Sequence, residues 1–224
     1  MDMEASKLSI SRYHVPDLDE LPPDLAGRIR EIAVKTGFVP NVFLALAHRP
    51  DELRAFMAYH DAVMERQGGL TKADREMIVV ATSAQRGCPY CVVAHGAILR
   101  IRAHDPTISD WVATNYRRAP ISARQLAMLD YAVKLSAVPE EVREEDLARL
   151  REAGFDEEEI WDIAAVVALF ALSNRVALAI DIQPNQEFFM MGRIPRDQAA
   201  ATASAGPGDA TRAGQGGPEP GQKP

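Results

Sequence analysis

The sequence predicts an all-α fold, and three observations support that prediction. Apolar residues recur every three to four positions in successive segments, the spacing that places them on one face of a helix. Ser, Thr or Asp precedes many of these segments and Gly or Pro follows them, as is typical of helix starts and stops. No segment alternates Val, Ile or Thr with polar residues between turn pairs, so no strand is predicted.

The composition indicates one folded domain with tails at its termini. The chain has 224 residues, of which 47% are hydrophobic, and this is enough for a full core. A formal charge of −7 and a pI near 5.3 argue against a nucleic-acid surface, which needs clustered Lys and Arg. The N-terminus lacks a basic start followed by an apolar run, so no secretory signal is expected and the cytoplasm is the predicted compartment.

In the first third of the chain, the sequence predicts an extended arm followed by three helical segments. The arm, residues 1–22, lacks periodicity, although Leu18 and Leu21 are apolar anchors for it. The segments are expected at Asp24–Thr36, at Val42–Ala47 and at Asp51–Gln67, and they end at Gly37, at Pro50 and at Gly68-Gly69.

A helical hairpin is predicted next. Thr71 and Asp74 have the form of a capping box, which starts a helix, and Gly87 breaks that helix. Cys88 then falls at the N-cap of the second helix and Pro89 at its first position, where a missing N–H costs nothing. The two helices are expected at Lys72–Arg86 and at Pro89–Arg102.

In the rest of the chain, the sequence predicts four more helical segments and a disordered tail. The segments are a short piece carrying Ile108, Trp111 and Val112, a helix between Ser122 and Pro139, an acidic helix over Glu140–Ala153 and a long helix from about Asp156. The run Ile163–Leu172 has only ten residues, whereas a membrane span needs about 20, so a core or subunit-contact helix is predicted. The Ala-, Gly- and Pro-rich residues 197–224 are predicted to be disordered, which leaves 23–196 as the helical domain.

The hairpin also carries the reactive side chains. Cys88, Cys91 and His95 fall at i, i+3 and i+7 of one helix, near one face, and a thiol in the first turn has a lowered pKa. The partner cysteine can close a disulfide on an oxidised sulfur. If the two helices pack antiparallel, Glu76 and His95 differ in level by roughly 4–5 Å, so a hydrogen bond between them, direct or through water, is expected.

Several alternatives remain open for these residues. Two thiolates and an imidazole are three zinc ligands, although no fourth is apparent; haem attachment is excluded because Val92 follows the second cysteine. Glu76 is otherwise a solvated helix residue and His95 a core histidine. His60 and Tyr90 are candidate accessory residues, and both have purely structural interpretations.

The pattern Glu-x11-Cys-x2-Cys-x3-His, within TKADREMIVVATSAQRGCPYCVVAHGA, resembles the active-site signature of the alkylhydroperoxidase AhpD-like, carboxymuconolactone decarboxylase superfamily. The context is most similar to its peroxidase-related branch. The resemblance is strong over about residues 70–100 and looser over about 40–185. It implies an AhpD-like helical bundle built around the hairpin that carries CxxC.

The resemblance also implies roles and partners. By motif position, Cys91 is peroxidatic, Cys88 is resolving, Glu76 is the base and His95 relays the proton; Tyr90 stands where AhpD itself has a histidine. No cofactor or metal is implied. The implied partners are a hydroperoxide substrate, a thiol/disulfide reductant protein and further copies of the chain, in a homo-oligomer that is a trimer or hexamer. No nucleic-acid or membrane partner is expected.

The sequence thus favours a thiol-dependent peroxidase with an antioxidant role. Two other hypotheses stay open. One is a non-catalytic redox sensor or interaction protein whose oxidation state changes its assembly. The other is a lactone decarboxylase, which is disfavoured because that branch of the superfamily does not depend on a cysteine pair.

Overall fold

The computed structural model describes residues 9–193, and over this range the chain forms ten α-helices, three short 3-10 helices and no strand. The predicted all-α class is therefore confirmed. The helices are α1 (Pro23–Thr36), α2 (Asn41–Leu46), α3 (Pro50–Met64), α4 (Lys72–Gln85), α5 (Pro89–Ala103), α6 (Ile108–Asn115), α7 (Ala123–Ala137), α8 (Glu144–Glu152), α9 (Glu157–Ile180) and α10 (Gln186–Met190). The predicted tail, 197–224, lies outside the described residues, as do residues 1–8 of the predicted arm and the last three residues of the predicted domain.

The α4–α5 hairpin forms as the local signals predict. The Thr71 hydroxyl accepts the backbone N–H of Asp74 at 3.0 Å, and the Asp74 carboxylate accepts the N–H of Thr71 at 3.1 Å. Gly87 has a φ of 63°, in the left-handed region where glycine is favoured, and it separates the two helices. Cys88 is the N-cap of α5 and Pro89 its first residue. These two helices share the most extensive contact of any pair in the described chain.

Helix α9 is the central core helix and is longer than its apolar run suggests. It has 24 residues, and by length and composition alone it is long and apolar enough to cross a membrane. It packs instead against α3, α4, α5 and α7, in agreement with the predicted core position. Asp162 and Asn174, which flank the apolar run, lie inside the helix, and buried partners satisfy both side chains. Arg75 donates to Asp162 at 2.6 Å, and Ser83 donates to Asn174 at 2.9 Å.

In the C-terminal half, one predicted boundary is wrong and one helix was not predicted. The acidic helix begins at Glu144, because the preceding residues Pro139–Glu141 form a separate 3-10 turn. Arg143 then caps the helix, and its backbone N–H donates to Asp146 at 2.9 Å. Helix α10 was not predicted, since its five residues are too few to show a helical period.

The described part of the N-terminal arm crosses the end of α9. The backbone N–H of Arg12 donates to the carbonyl of Ile180 at 2.9 Å, and the Ser11 hydroxyl donates to the same carbonyl at 3.0 Å. Leu21 is 7% exposed and packs with α1, as expected of an anchor. The arm is therefore tied to the helical domain at both of these points.

Candidate active site

The two cysteines lie at the N-terminus of α5 and are both free thiols. Cys88 is 1% exposed and Cys91 is 2% exposed, and they pack in a small cluster with Ala45, Ala177 and Phe188. The cluster joins α2, α5, α9 and α10. Any reagent must therefore pass through a lining of side chains to reach either sulfur.

The local environment favours a thiolate on Cys88. The pKa of Cys88 is lowered to about 7, first by its hydrogen bond with the Cys91 thiol and then, against the cost of burial, by backbone N–H groups and the charge of His95. Those N–H groups belong to Tyr90 and Cys91, in the first turn of α5, where helix N–H groups have no helical partner. The same Cys88 contact, together with burial, raises the pKa of Cys91. In the reduced pair, Cys91 thus donates its proton toward a Cys88 thiolate.

Two hydroxyl groups lie near the Cys91 sulfur, from Ser83 of α4 and Ser173 of α9. Both act to lower the pKa of Cys91, which counters part of the rise. Ser83 is fully buried and its hydroxyl also donates to Asn174 at 2.9 Å. The sequence reasoning missed Ser173. The one signal for it was a polar Ser-Asn pair inside an otherwise apolar helix.

Glu76 and His95 form a hydrogen-bonded pair beside the thiols. The two helices fold back on each other, and His95 Nδ1 lies 2.7 Å from Glu76 Oε2, so the ring donates to the carboxylate. Both side chains are largely buried, at 10% and 14% exposure, and the His95 ring packs edge-on against Phe170 at 4.7 Å. The shared hydrogen bond expected from the spacing is thus present. It orients the imidazole and leaves Nε2 free to exchange a proton.

His95 acts on Cys88 as a nearby charge. The hydrogen bond found for its ring goes to Glu76, while its effect on Cys88 is coulombic. The structure therefore brings the predicted carboxylate, imidazole and thiols into one region. The His95 ring influences the Cys88 sulfur electrostatically and not through a hydrogen bond.

The two accessory candidates occupy different positions. His60 on α3 is partly exposed; burial lowers its pKa, and so does the charge of His95, which places it near the acid–base pair. Tyr90 points away from the sulfurs, because its hydroxyl accepts the backbone N–H of Val42 at 3.2 Å and its ring meets Phe188 edge-on. Burial raises the pKa of Tyr90, so its hydroxyl stays protonated. Tyr90 therefore connects α5 to α2 through this hydrogen bond, whereas the histidine that AhpD has at the same position would place a second imidazole between the cysteines.

The zinc alternative needs a fourth ligand beside the three on α5. Within residues 9–193, no group of three or more His, Cys, Asp or Glu side chains is arranged to hold a metal ion. The thiols, the acid–base pair and the two serines are instead arranged as hydrogen-bonding partners. Such an arrangement can carry proton transfer and thiol–disulfide chemistry.

Comparisons with known proteins show the family of the chain. The model of the carboxymuconolactone decarboxylase family matches residues 50–106. A crystal structure of an alkylhydroperoxidase AhpD core, an uncharacterized peroxidase-related protein from Ralstonia eutropha JMP134, is 61% identical with a TM-score of 0.83, and the alignment covers 84% of this chain and 99% of that one. A comparison with curated proteins found no match.

Two further structures extend the comparison. A peroxidase-related protein from Silicibacter sp. TM1040 is 39% identical with a TM-score of 0.79, over 83% of this chain and 97% of that one. The debrominase Bmp8 is 20% identical with a TM-score of 0.68, over 83% and 96%, and this likeness shows the fold alone. Given 61% identity over nearly the whole of a solved relative, the chain belongs to the AhpD-like, carboxymuconolactone decarboxylase superfamily.

Proposed function

We propose that the protein is a thiol-dependent hydroperoxide reductase. In this reaction ROOH and the two thiols give ROH, water and a Cys88–Cys91 disulfide, which an external dithiol reduces again. The observation that carries the proposal is the pair of free thiols at the start of α5, next to the hydrogen-bonded Glu76 and His95. No flavin, haem or metal is needed for these steps. Membership of a superfamily with peroxidase-related members supports the same reaction class.

Cys91 is proposed to attack the peroxide, although the resting negative charge favours Cys88. The two sulfurs share a hydrogen bond, so a proton shift along it gives a Cys91 thiolate and a Cys88 thiol without chain movement. The hydroxyl of Ser173 then stabilises the charge on Cys91. It is also able to hydrogen-bond a peroxide oxygen beside this sulfur.

The steps balance as follows. The Cys91 thiolate attacks the terminal peroxide oxygen, the O–O bond breaks, and the alkoxide leaves as ROH with a proton relayed by His95. Cys91 becomes a sulfenic acid. Cys88 loses its proton through the same acid–base pair and attacks the Cys91 sulfur, so a disulfide forms and water leaves. Glu76 holds the imidazole in place and stabilises its protonated form.

The assembly and location of the protein are also proposals. The exposed apolar residues of α9 include Trp161 at 71% and Leu178 at 41%, and they suit contact with another copy of the chain in a trimer or hexamer. A dithiol protein is proposed as the reductant and the cytoplasm as the compartment, where a reducing pool would keep both thiols free.

The reductase proposal is tested by mixing reduced protein with an alkyl hydroperoxide in a stopped-flow instrument. We expect both thiols to be lost together with one equivalent of peroxide, and a dithiol to restore them. Thiols that stay titratable after mixing would contradict the proposal. Loss of thiols without turnover by any dithiol, with a change in oligomer size, would instead identify a redox sensor.

The rate of thiol oxidation is expected to rise with pH through an apparent pKa near 7. The reactive thiolate exists above the pKa of the pair, and the pKa of Cys88 is lowered to about 7 from an ordinary 9.0. The observed rate constant should therefore fall about tenfold per pH unit below 7 and level off above it. Stopped-flow measurements from pH 5 to pH 9 check this. An inflection near 9 would show that the α5 N-terminus does not activate the pair.

A further inference from the structure

We infer that an apolar pocket between α2, α3 and the C-terminal half of α9 binds the hydrocarbon part of an organic hydroperoxide and presents its peroxide group to Cys91 past Ser173. This inference rests on the proposed reductase function and adds the substrate's binding site. The pocket has a volume of about 580 Å³, within the range of pockets for small organic ligands.

The lining of the pocket is mainly apolar. Its walls include Ala45, Leu46, Phe56, Leu169, Val176 and Ile180. Burying a ring or an alkyl chain against such walls contributes roughly 25 cal/mol per Å² of apolar surface. Hydrogen peroxide has no apolar part and gains nothing from them. The walls therefore favour a hydroperoxide with a hydrocarbon body.

The pocket ends next to the reactive sulfur. Ser173 lines it, and the same side chain lies near enough to Cys91 to act on the pKa of its thiol. Tyr90, which lies between the two cysteines in sequence, also lines the pocket. Cys91 itself is only 2% exposed and does not line the pocket, so Ser173 is the residue through which the pocket adjoins the sulfur.

The charged groups of the pocket lie at its solvent side. Arg49 and Glu52, at the start of α3, have side chains 70% and 75% exposed and pair with each other at 3.6 Å. The apolar walls and Ser173 are deeper. A ligand with an apolar body and a terminal O–O–H group fits this order only when the peroxide end enters first.

Pocket-filling variants test the inference. Val176→Trp places an indole in the pocket, and Val34→Trp makes the same change at an 86% exposed site on α1 outside it. We expect Val176→Trp to lower the second-order rate constant for cumene hydroperoxide by roughly tenfold to a hundredfold, the effect of a steric misfit in an apolar pocket. Its rate with hydrogen peroxide should stay within about twofold of the parent, and Val34→Trp should leave both rates unchanged.

A second variant and a binding measurement complete the test. Ala55→Trp fills the pocket from the α3 wall at an exposed position, so it serves if Val176→Trp fails to fold. Calorimetric titration with cumyl alcohol, the reduction product, should show binding to the parent and its loss in the filled variants. Equal slowing with both peroxides would overturn the inference. A change of oligomer size on filling would overturn it as well, because the groove would then be a contact between copies.

The two proposals fail in different ways. If the parent binds cumyl alcohol but neither peroxide oxidises its thiols, the reductase function is wrong while the pocket remains an apolar ligand site. If both peroxides oxidise the thiols and the filled variants still react like the parent with cumene hydroperoxide, the reductase function stands and the pocket is not its substrate site.

Discussion

Cys91→Ser is expected to lower the rate of hydroperoxide consumption by roughly a thousandfold or more, because it removes the attacking sulfur. Cys88→Ser should still react once, and it should stop at a sulfenic acid on Cys91 that dimedone traps. Mass spectrometry of the trapped adduct after mixing with one equivalent of peroxide checks both results. The pair of variants thus separates the attacking sulfur from the resolving one.

The opposite result has a clear physical meaning. If Cys91→Ser forms the trapped adduct on Cys88 at the parental rate, attack follows the resting charge and the order of the two cysteines is reversed. The lowered pKa of Cys88 would then determine which sulfur attacks the peroxide, and the serine hydroxyls near Cys91 would not determine it. The parent protein with both thiols blocked beforehand is the control for non-specific peroxide loss.

Asp162→Ala is expected to lower the free energy of unfolding by about 3–5 kcal/mol, the cost of leaving a buried cation without its partner. Arg75 is 1% exposed, and its guanidinium donates to Asp162 at 2.6 Å and to the Val63 carbonyl at 3.1 Å. Removal of the carboxylate leaves the charge in the core between α4 and α9. Urea denaturation followed by circular dichroism measures the change.

A matched control is available on the same helix. Glu158 pairs with Arg66 at 2.7 Å, but the two side chains are 74% and 41% exposed, so Glu158→Ala should cost less than about 1 kcal/mol. The double variant Arg75→Met with Asp162→Leu should recover much of the loss, because apolar residues replace the pair. If Asp162→Ala is as mild as Glu158→Ala, the buried pair does not stabilise the junction of α4 with α9.

Local signals in the sequence were sufficient to predict the hairpin. The capping box at Thr71 and the break at Gly87 act within a few residues, and the proline after Cys88 does the same, so their effects do not depend on distant parts of the chain. The pairing of Glu76 with His95 also followed, since an antiparallel hairpin with a known turn sets the level of each residue.

The sequence was less informative where polar residues interrupt an apolar helix. Asp162 and Asn174 flank the apolar run within α9, and each is satisfied by a residue of α4. Their partners are 87 and 91 positions away in the chain. No local spacing reports such a contact, so the sequence predicted the long helix but not the partners of its two buried polar residues.

By itself, then, the sequence determined the all-α class, the position of both thiols at a helix N-terminus and the acid–base pair beside them, because these depend on helix periodicity, caps and one turn. The tertiary structure alone decided which sulfur faces Ser173 and which way Tyr90 points. It also decided where the apolar pocket lies, between helices far apart in the chain. These features arise from packing among α2, α3, α5 and α9, and packing between distant segments follows from the shape of the whole core.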